Sequence, residues 1–412
     1  MRTCTVVLII NLGIAAASAH AQDAPAAATP DQASTQTSGQ TGAPPAITTE
    51  RPGTIKRLRT WASDIQLLGR LNGDVNGWYP RIGGVTRGSG FAFGPGFRTP
   101  LFDDALFFDV SGAVSVRGYS ALDTRLRWLQ LFDHRLQFWT DLRFEDFPEE
   151  DFFGIGMDSP KDARTSYDLD GTNLTTRAVF NPRRGIRLTS TTGFMWPDVG
   201  PGGDSAFPSI EDRFGDLESP GLFEQPKYLH STVAGEVDYR DVGGNTSSGG
   251  YYRASFGVFN DVKLDQYDFR RVDAHLVQFV PITPGHGHVL SGRIGASFFS
   301  STDGDRVPFF FLPYVGGMDT IRSFREFRFK DQNALWLSGE YKWRIKSFLS
   351  ASVFADAGQV APDWRGFTFT GMRGGYGAGV ALHTRTRTVI RLDLGTGGGE
   401  GWQLFLKFRP VY

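Results

Sequence analysis

The chain has 412 residues, with 43 Lys and Arg against 44 Asp and Glu and a formal net charge of −1. That balance gives no electrostatic footprint for nucleic acid, and a single cysteine, Cys4, excludes an internal disulfide framework or a cysteine metal site. The 51 Gly and 35 Phe instead fit many short strands, tight turns and an aromatic-rich outer surface.

The N-terminus begins Met1-Arg2, runs apolar from Val6 to Ala17 and reaches Ala19-His20-Ala21. This is the pattern of a cleaved secretory signal peptide over 1–21, which predicts export through the inner membrane. Residues 22–53 are Ala, Pro, Thr, Ser and Gln with almost no large apolar side chain. Such a segment cannot bury enough surface to fold and reads as a disordered periplasmic linker. In 54–70, Ile55, Leu58, Ala62, Ile65 and Leu68 recur at spacings of three and four, which predicts a short amphipathic helix. That helix either packs at the mouth of the following domain or lies on a membrane surface.

From residue 73 to 412 the period changes to two. Leu136, Phe138, Thr140, Leu142 and Phe144 alternate with Gln137, Trp139, Asp141, Arg143 and Glu145. Sixteen such strands are expected, starting near Val75, Gly90, Ala105, Ala121, Leu136, Gly171, Gly185, Leu229, Tyr251, Asp268, His288, Asn333, Leu349, Arg373, Thr388 and Gly401. Alternation alone suits a soluble sandwich equally well. Connection lengths break the tie. The long ones, 148–170, 197–228, 301–332 and 362–372, all follow odd-numbered strands, and those after even strands are mostly tight turns. The expected fold is therefore all-β, a 16-stranded antiparallel transmembrane β-barrel preceded by the short helix.

The polar residues that stand out lie between Tyr314 and Gly358. Glu340 falls on the polar face of a strand opening near Asn333, and Asp356 on that of the next strand, with only a short turn between them. Two carboxylates facing one enclosed space need a cation, and the loop just upstream offers Arg322, followed by Phe324.

The set Ile321-Arg322-Ser323-Phe324, Ser338-Gly339-Glu340-Tyr341 and Phe354-Ala355-Asp356-Ala357-Gly358 resembles the BamA/TamA-like outer-membrane insertase and transporter superfamily, also called the bacterial surface antigen family. The resemblance implies an outer loop folded back into the lumen, its Arg322 held by Glu340 and Asp356. Ser323 departs from the glycine of the family signature, so a left-handed backbone at that place is not required here. The residues ahead of the first strand are too few and too low in complexity for the family's periplasmic POTRA modules, so a barrel-only relative is expected. It also implies a non-enzymatic role in inserting or translocating protein or lipid at the outer membrane of a Gram-negative cell. Its partners would be outer-membrane lipid and lipopolysaccharide, the machinery that inserts the barrel itself, and a periplasmic protein doing the work of the missing modules.

Two further features bear on that role. Gly77 and Pro80 interrupt the first strand and Pro410 the last; each proline removes a ladder donor, so the seam between them is weak and suits strand addition at an open edge. Trp402, Leu404, Leu406 and Phe408 share a face ending at Tyr412, which is similar to the terminal signature read when outer-membrane barrels are inserted. A passive pore or structural barrel is the alternative. An outer-membrane hydrolase would need a histidine-centred arrangement that the histidines do not form, so no catalytic residue is expected. No cofactor or metal is expected either. Asp168 to Asn173 looks like part of a calcium loop without its bidentate Glu and is read as a turn. His286 and His288 are read as incidental turn residues. Arg322, Arg325 and Arg328, interleaved with Phe324, Phe327 and Phe329, are read as loop packing, with lipid phosphate as the other possibility. Gly397 to Gly399 is read as a turn.

Overall fold

The computed structural model describes residues 76–103, 105–131, 135–301, 304–384 and 387–408. The expected signal peptide, linker and helix, and the positions of Pro410 and Tyr412, lie outside them. Sixteen strands form one antiparallel sheet in strict chain order: β1 Gly77–Gly83, β2 Ala92–Leu101, β3 Leu106–Ser115, β4 Ser120–Leu131, β5 Leu136–Phe152, β6 Thr165–Arg183, β7 Ile186–Pro201, β8 Tyr228–Asp238, β9 Gly249–Asp261, β10 Phe269–Pro281, β11 His288–Ser301, β14 Asn333–Lys346, β15 Leu349–Ala361, β16 Arg373–His383, β17 Thr388–Thr396 and β18 Gln403–Phe408. Two short strands, β12 Tyr314–Val315 and β13 Phe329–Lys330, pair within the β11–β14 connection. Among the described residues no helix is long and apolar enough to cross a membrane, which has no bearing on crossing by strands.

The direction of the alternation agrees with the barrel expected from the connection lengths. Phe144, Val233, Leu290, Ile294 and Val353 point outward and are 45 %, 45 %, 49 %, 49 % and 46 % exposed. In water so wide a band of uncovered apolar side chains would aggregate, whereas lipid is its natural solvent. The alternate positions carry charges on the inner wall, where they pair across strands: Arg81 and Arg143 with Asp123, Arg125 and Arg177 with Asp141, Arg187 and Arg253 with Glu236.

One strand start differs from the sequence reading, and β7 also runs on to Pro201, past the loop start expected at 197. The sixth was expected near Gly171 after a long loop over 148–170, but β5 and β6 stay paired beyond that region, with Asp146 opposite Asp170 and Phe147 opposite Leu169. Asp168 to Asn173 is therefore strand and not turn: the turn composition of Asp-Leu-Asp-Gly is overridden by the ladder to β5. At 17 and 19 residues these strands exceed the length needed to span a bilayer and continue past it as a hairpin.

The lumen is filled from both ends. From the long-loop end, the β11–β14 connection descends and packs Val315, Ile321, Phe324 and Phe329, none more than 1 % exposed, against Ala334 and Val360 of the wall. Above it, Phe309 and Leu312 of this connection and Ile210 and Leu222 of the β7–β8 connection join Phe152, Tyr167, Tyr228 and Phe269 in the largest apolar cluster. From the short-turn end, the β8–β9 connection (239–248) crosses to the β16–β17 turn. The Gly244 carbonyl accepts from the Thr388 amide at 2.9 Å, and the Asn245 side chain meets His383 Nδ1 at 3.2 Å. Strands far apart in the order thus meet across the interior, as a sheet curled into a barrel requires.

Candidate functional site

Arg322 is 1 % exposed, and almost every polar atom of its guanidinium is engaged. Its Nε and Nη2 each donate to Asp356 at 2.8 Å, a two-pronged contact whose geometry only arginine provides. Nη1 donates to Glu340 at 2.9 Å and lies 3.5 Å from Asp393; Nη2 also reaches the Ser338 hydroxyl at 3.0 Å. The Arg322 backbone N–H donates to Asp356 Oδ2 at 3.0 Å, so the loop's main chain is fixed along with its side chain. The guanidinium carbon lies 3.4 Å from the centre of the Phe354 ring, adding a cation–π contact in a site shielded from water.

The strand register explains this geometry. Asp356 stands opposite Ser338, and Glu340 opposite Phe354. The two carboxylates are diagonal neighbours with the phenyl ring beneath them, and a fork-shaped cation spans the gap. Phe324, 1 % exposed, meets Phe329 edge-on at 5.2 Å and seats the loop beside the cluster. Arg322, Glu340 and Asp356 are brought together as expected, whereas Phe324 packs in the loop's apolar cluster with Val315, Ile321 and Phe329.

The sequence reading missed a second half. Arg391 on β17 donates Nη1 and Nη2 to the two oxygens of Glu340 at 3.0 and 2.7 Å, and its Nε donates to Asp393 at 2.8 Å. Both alternate inward in Arg391-Leu392-Asp393, so their facing was legible. Their proximity to β14, three strands away in the order, was not. Two arginines thus serve three carboxylates, and Arg293 adjoins them, its Nη2 donating to the Ser338 hydroxyl at 3.3 Å. Buried charge of this kind is tolerable only when each member is paired in this way.

Two wall glycines make the seat. A side chain on Gly395 would collide with the Arg322 carbonyl, and one on Gly375 with Ser323. Ser323 itself is absent from the positive-φ residues and is 1 % exposed, so the serine is accommodated by the bare backbone opposite it. Arg328 is also buried, donating to the Ser159 hydroxyl and carbonyl at 2.9 Å and pairing with Glu400. Of Arg322, Arg325 and Arg328 only Arg325 is exposed, which is the loop-packing reading.

Asp319 of the same loop accepts from Arg87 Nε at 2.9 Å and from Lys407 Nζ at 2.5 Å. Glu326 accepts from the Met318 amide at 2.9 Å, and burial raises its pKa to about 7. Lys330 is 3 % exposed, with its ammonium among the rings of Phe152, Tyr167 and Phe327; burial lowers its pKa to about 8.

At the seam, Gly77 has φ +94° and Pro80 stands directly opposite Pro95 in the β1–β2 ladder. The β2–β3 pairing is interrupted at Gly94 and Pro95 as well. Trp402, just ahead of β18, and Leu404 and Leu406 on it point outward, 68 %, 66 % and 54 % exposed, and Phe408 is the last strand residue. The turn histidines do not converge: His288 Nδ1 meets the Tyr341 hydroxyl at 2.7 Å, and His286 lies 3.9 Å from Asp241. The one group of acidic side chains with metal-like spacing among the described residues is Asp146, Asp168 and Asp170.

A sixteen-stranded barrel with an inward loop pinned by its arginine defines a bacterial outer-membrane barrel of one particular type. A family model described as the Omp85 superfamily domain matches residues 157–397. This chain belongs to the Omp85 superfamily. Among solved structures it is similar to BamA from Haemophilus ducreyi lacking POTRA domains 1–3, with a TM-score of 0.62 at 12 % identity over 81 % of this chain and 70 % of that one. CdiB from Escherichia coli matches with a TM-score of 0.49 at 12 % identity, over 80 % of this chain and 61 % of that one. No curated protein is significantly similar in sequence.

Proposed function

We propose that this barrel assists insertion or translocation of protein or lipid at the outer membrane, through an opening between β1 and β18. The observation that carries this reading is that β1 and β18 stand at the two ends of the strand order with no ladder between them among the described residues. β1 has only 7 residues, and its Pro80 faces Pro95, so neither residue can donate to the ladder between them. Two short edge strands with no ladder between them separate at low cost and expose unpaired backbone to which a client strand adds. The Arg322, Phe324, Glu340 and Asp356 cluster then acts as a latch that keeps the loop inside while the wall opens. Trp402, Leu404, Leu406, Phe408 and Tyr412 serve the barrel's own insertion by the cell's assembly machinery. Lipid and lipopolysaccharide surround it, and a periplasmic partner presents clients.

The test is a disulfide lock. Cysteines placed across β1 and β18 and oxidised in cells should abolish client delivery while the barrel remains folded. Normal delivery through a locked seam would overturn the reading. The alternative of a passive pore predicts large steady conductance in planar bilayers; the filled lumen favours small and intermittent openings instead.

A further inference from the structure

Asp319 lies three residues before Arg322 on the returning loop, and its two oxygens serve opposite ends of the strand order. Oδ2 accepts from Arg87 in the β1–β2 connection at 2.9 Å, and Oδ1 accepts from Lys407 on β18 at 2.5 Å. Arg87 is tied to the loop a second time, donating Nη1 to the Tyr314 hydroxyl at 2.6 Å. Lys407 alternates with the outward Leu406 and so faces the lumen. Both cations are partly exposed, with side-chain exposures of 55 % for Arg87 and 31 % for Lys407, and Asp319 lies between them at 32 %.

We infer that Asp319 is a clasp that sets how readily the seam parts: one carboxylate, carried by the latched loop, holds the first hairpin and the last strand together from inside. The inference rests on the seam reading above and names the residue that controls it. With the carboxylate present, each cation is drawn to the same point. Without it, Arg87 and Lys407 become like-charged neighbours across the seam, and attraction turns into repulsion. The anchoring is directional. Arg322 fixes the loop to β14, β15 and β17, so a pull on Asp319 is resisted by a wall that does not take part in the opening. Burial pushes the Asp319 carboxyl up in pKa, but Lys407 and Arg87 more than offset this and hold it well below the usual range. It therefore stays charged at any pH the cell meets.

The experiment places spin labels on Ile82→Cys of β1 and Leu404→Cys of β18, both outward-facing, in the full chain reconstituted in lipid vesicles. Asp319→Asn should raise the population of long distances about twofold to thirtyfold, the range for two partly exposed ion pairs. Asp158→Asn, at a fully exposed acid elsewhere, should leave the distribution unchanged. An unchanged distribution in folded Asp319→Asn overturns the clasp. Should that variant fail to fold, salt supplies the reading on the native side chains: going from about 0.05 M to about 1 M shortens the screening length to about 3 Å and should widen the seam. A seam indifferent to salt also overturns the clasp. The readout needs no client, so a seam that widens while client delivery is unaltered counts against the transport reading alone.

Discussion

Arg322 satisfies three acidic side chains and a hydroxyl at once, so its loss is not equivalent to losing one ion pair. Arg322→Ala leaves Asp356 buried without a cation, a change that costs about 3–5 kcal/mol in a dry interior and less beside a hydrated lumen. The folded form should lose heat resistance in gel-mobility assays while insertion persists. Arg322→Lys should recover only part of it, because an ammonium cannot reproduce the fork. Asp356→Asn combined with Arg322→Ala should cost less than the sum of the two single changes. An unfolding temperature unmoved by Arg322→Ala would contradict the cluster's structural weight. Glu326 gives the pH dependence. Its pKa is raised from 4.5 to about 7 in the folded protein, so between those values the folded state binds the extra proton. Its stabilising contribution is complete below pH 4.5 and is lost as pH rises through about 7. Glu326→Gln should therefore flatten the fall in unfolding temperature between pH 5 and pH 8, and an equal slope in both proteins would refute the assignment.

At the scale of elements, the β8–β9 connection is the unexpected part. A tight turn would suffice to join two antiparallel strands, yet residues 239–248 reach the β16–β17 turn and offer the Thr246 carbonyl to Lys342 Nζ at 2.8 Å. Within the connection, Asp241 accepts from the Val242 and Ser247 amides, so the segment holds its own shape. It closes one side of a chamber of about 490 Å³ that also borders Glu340 and Arg391 of the latch network. Replacing 241–247 by a short Gly-containing turn should raise single-channel conductance and leave the strand ladder intact; conductance equal to the parent's would show that the closure lies elsewhere. The strands themselves were largely legible from the sequence. Fifteen of the sixteen start within two residues of where period-two alternation put them, because alternation is local. The sixth starts at Thr165 and not near Gly171, since cross-strand pairing to β5 outweighs the turn propensity of its residues.

For the whole molecule the deciding property is which face meets lipid. The outward band should not tolerate charge: Leu290→Arg, at a side chain 49 % exposed, should cost about 2–4 kcal/mol if it sits near mid-bilayer and reduce the heat-stable fraction. Normal stability would place Leu290 outside the hydrocarbon. The sequence by itself determined the strands, the loop asymmetry and the facing of Glu340 toward Asp356, because a strand's facing and the partner across a short turn are both set by near neighbours; that Arg322 meets them was implied by the family resemblance. Only the tertiary structure decided that Arg391 and Asp393 complete the cluster, that Gly375 and Gly395 make room for the loop, and that Asp319 spans Arg87 and Lys407. Those contacts join segments tens to hundreds of residues apart. Their distances follow from how the sheet curls and how far the loop descends, and no local spacing encodes either.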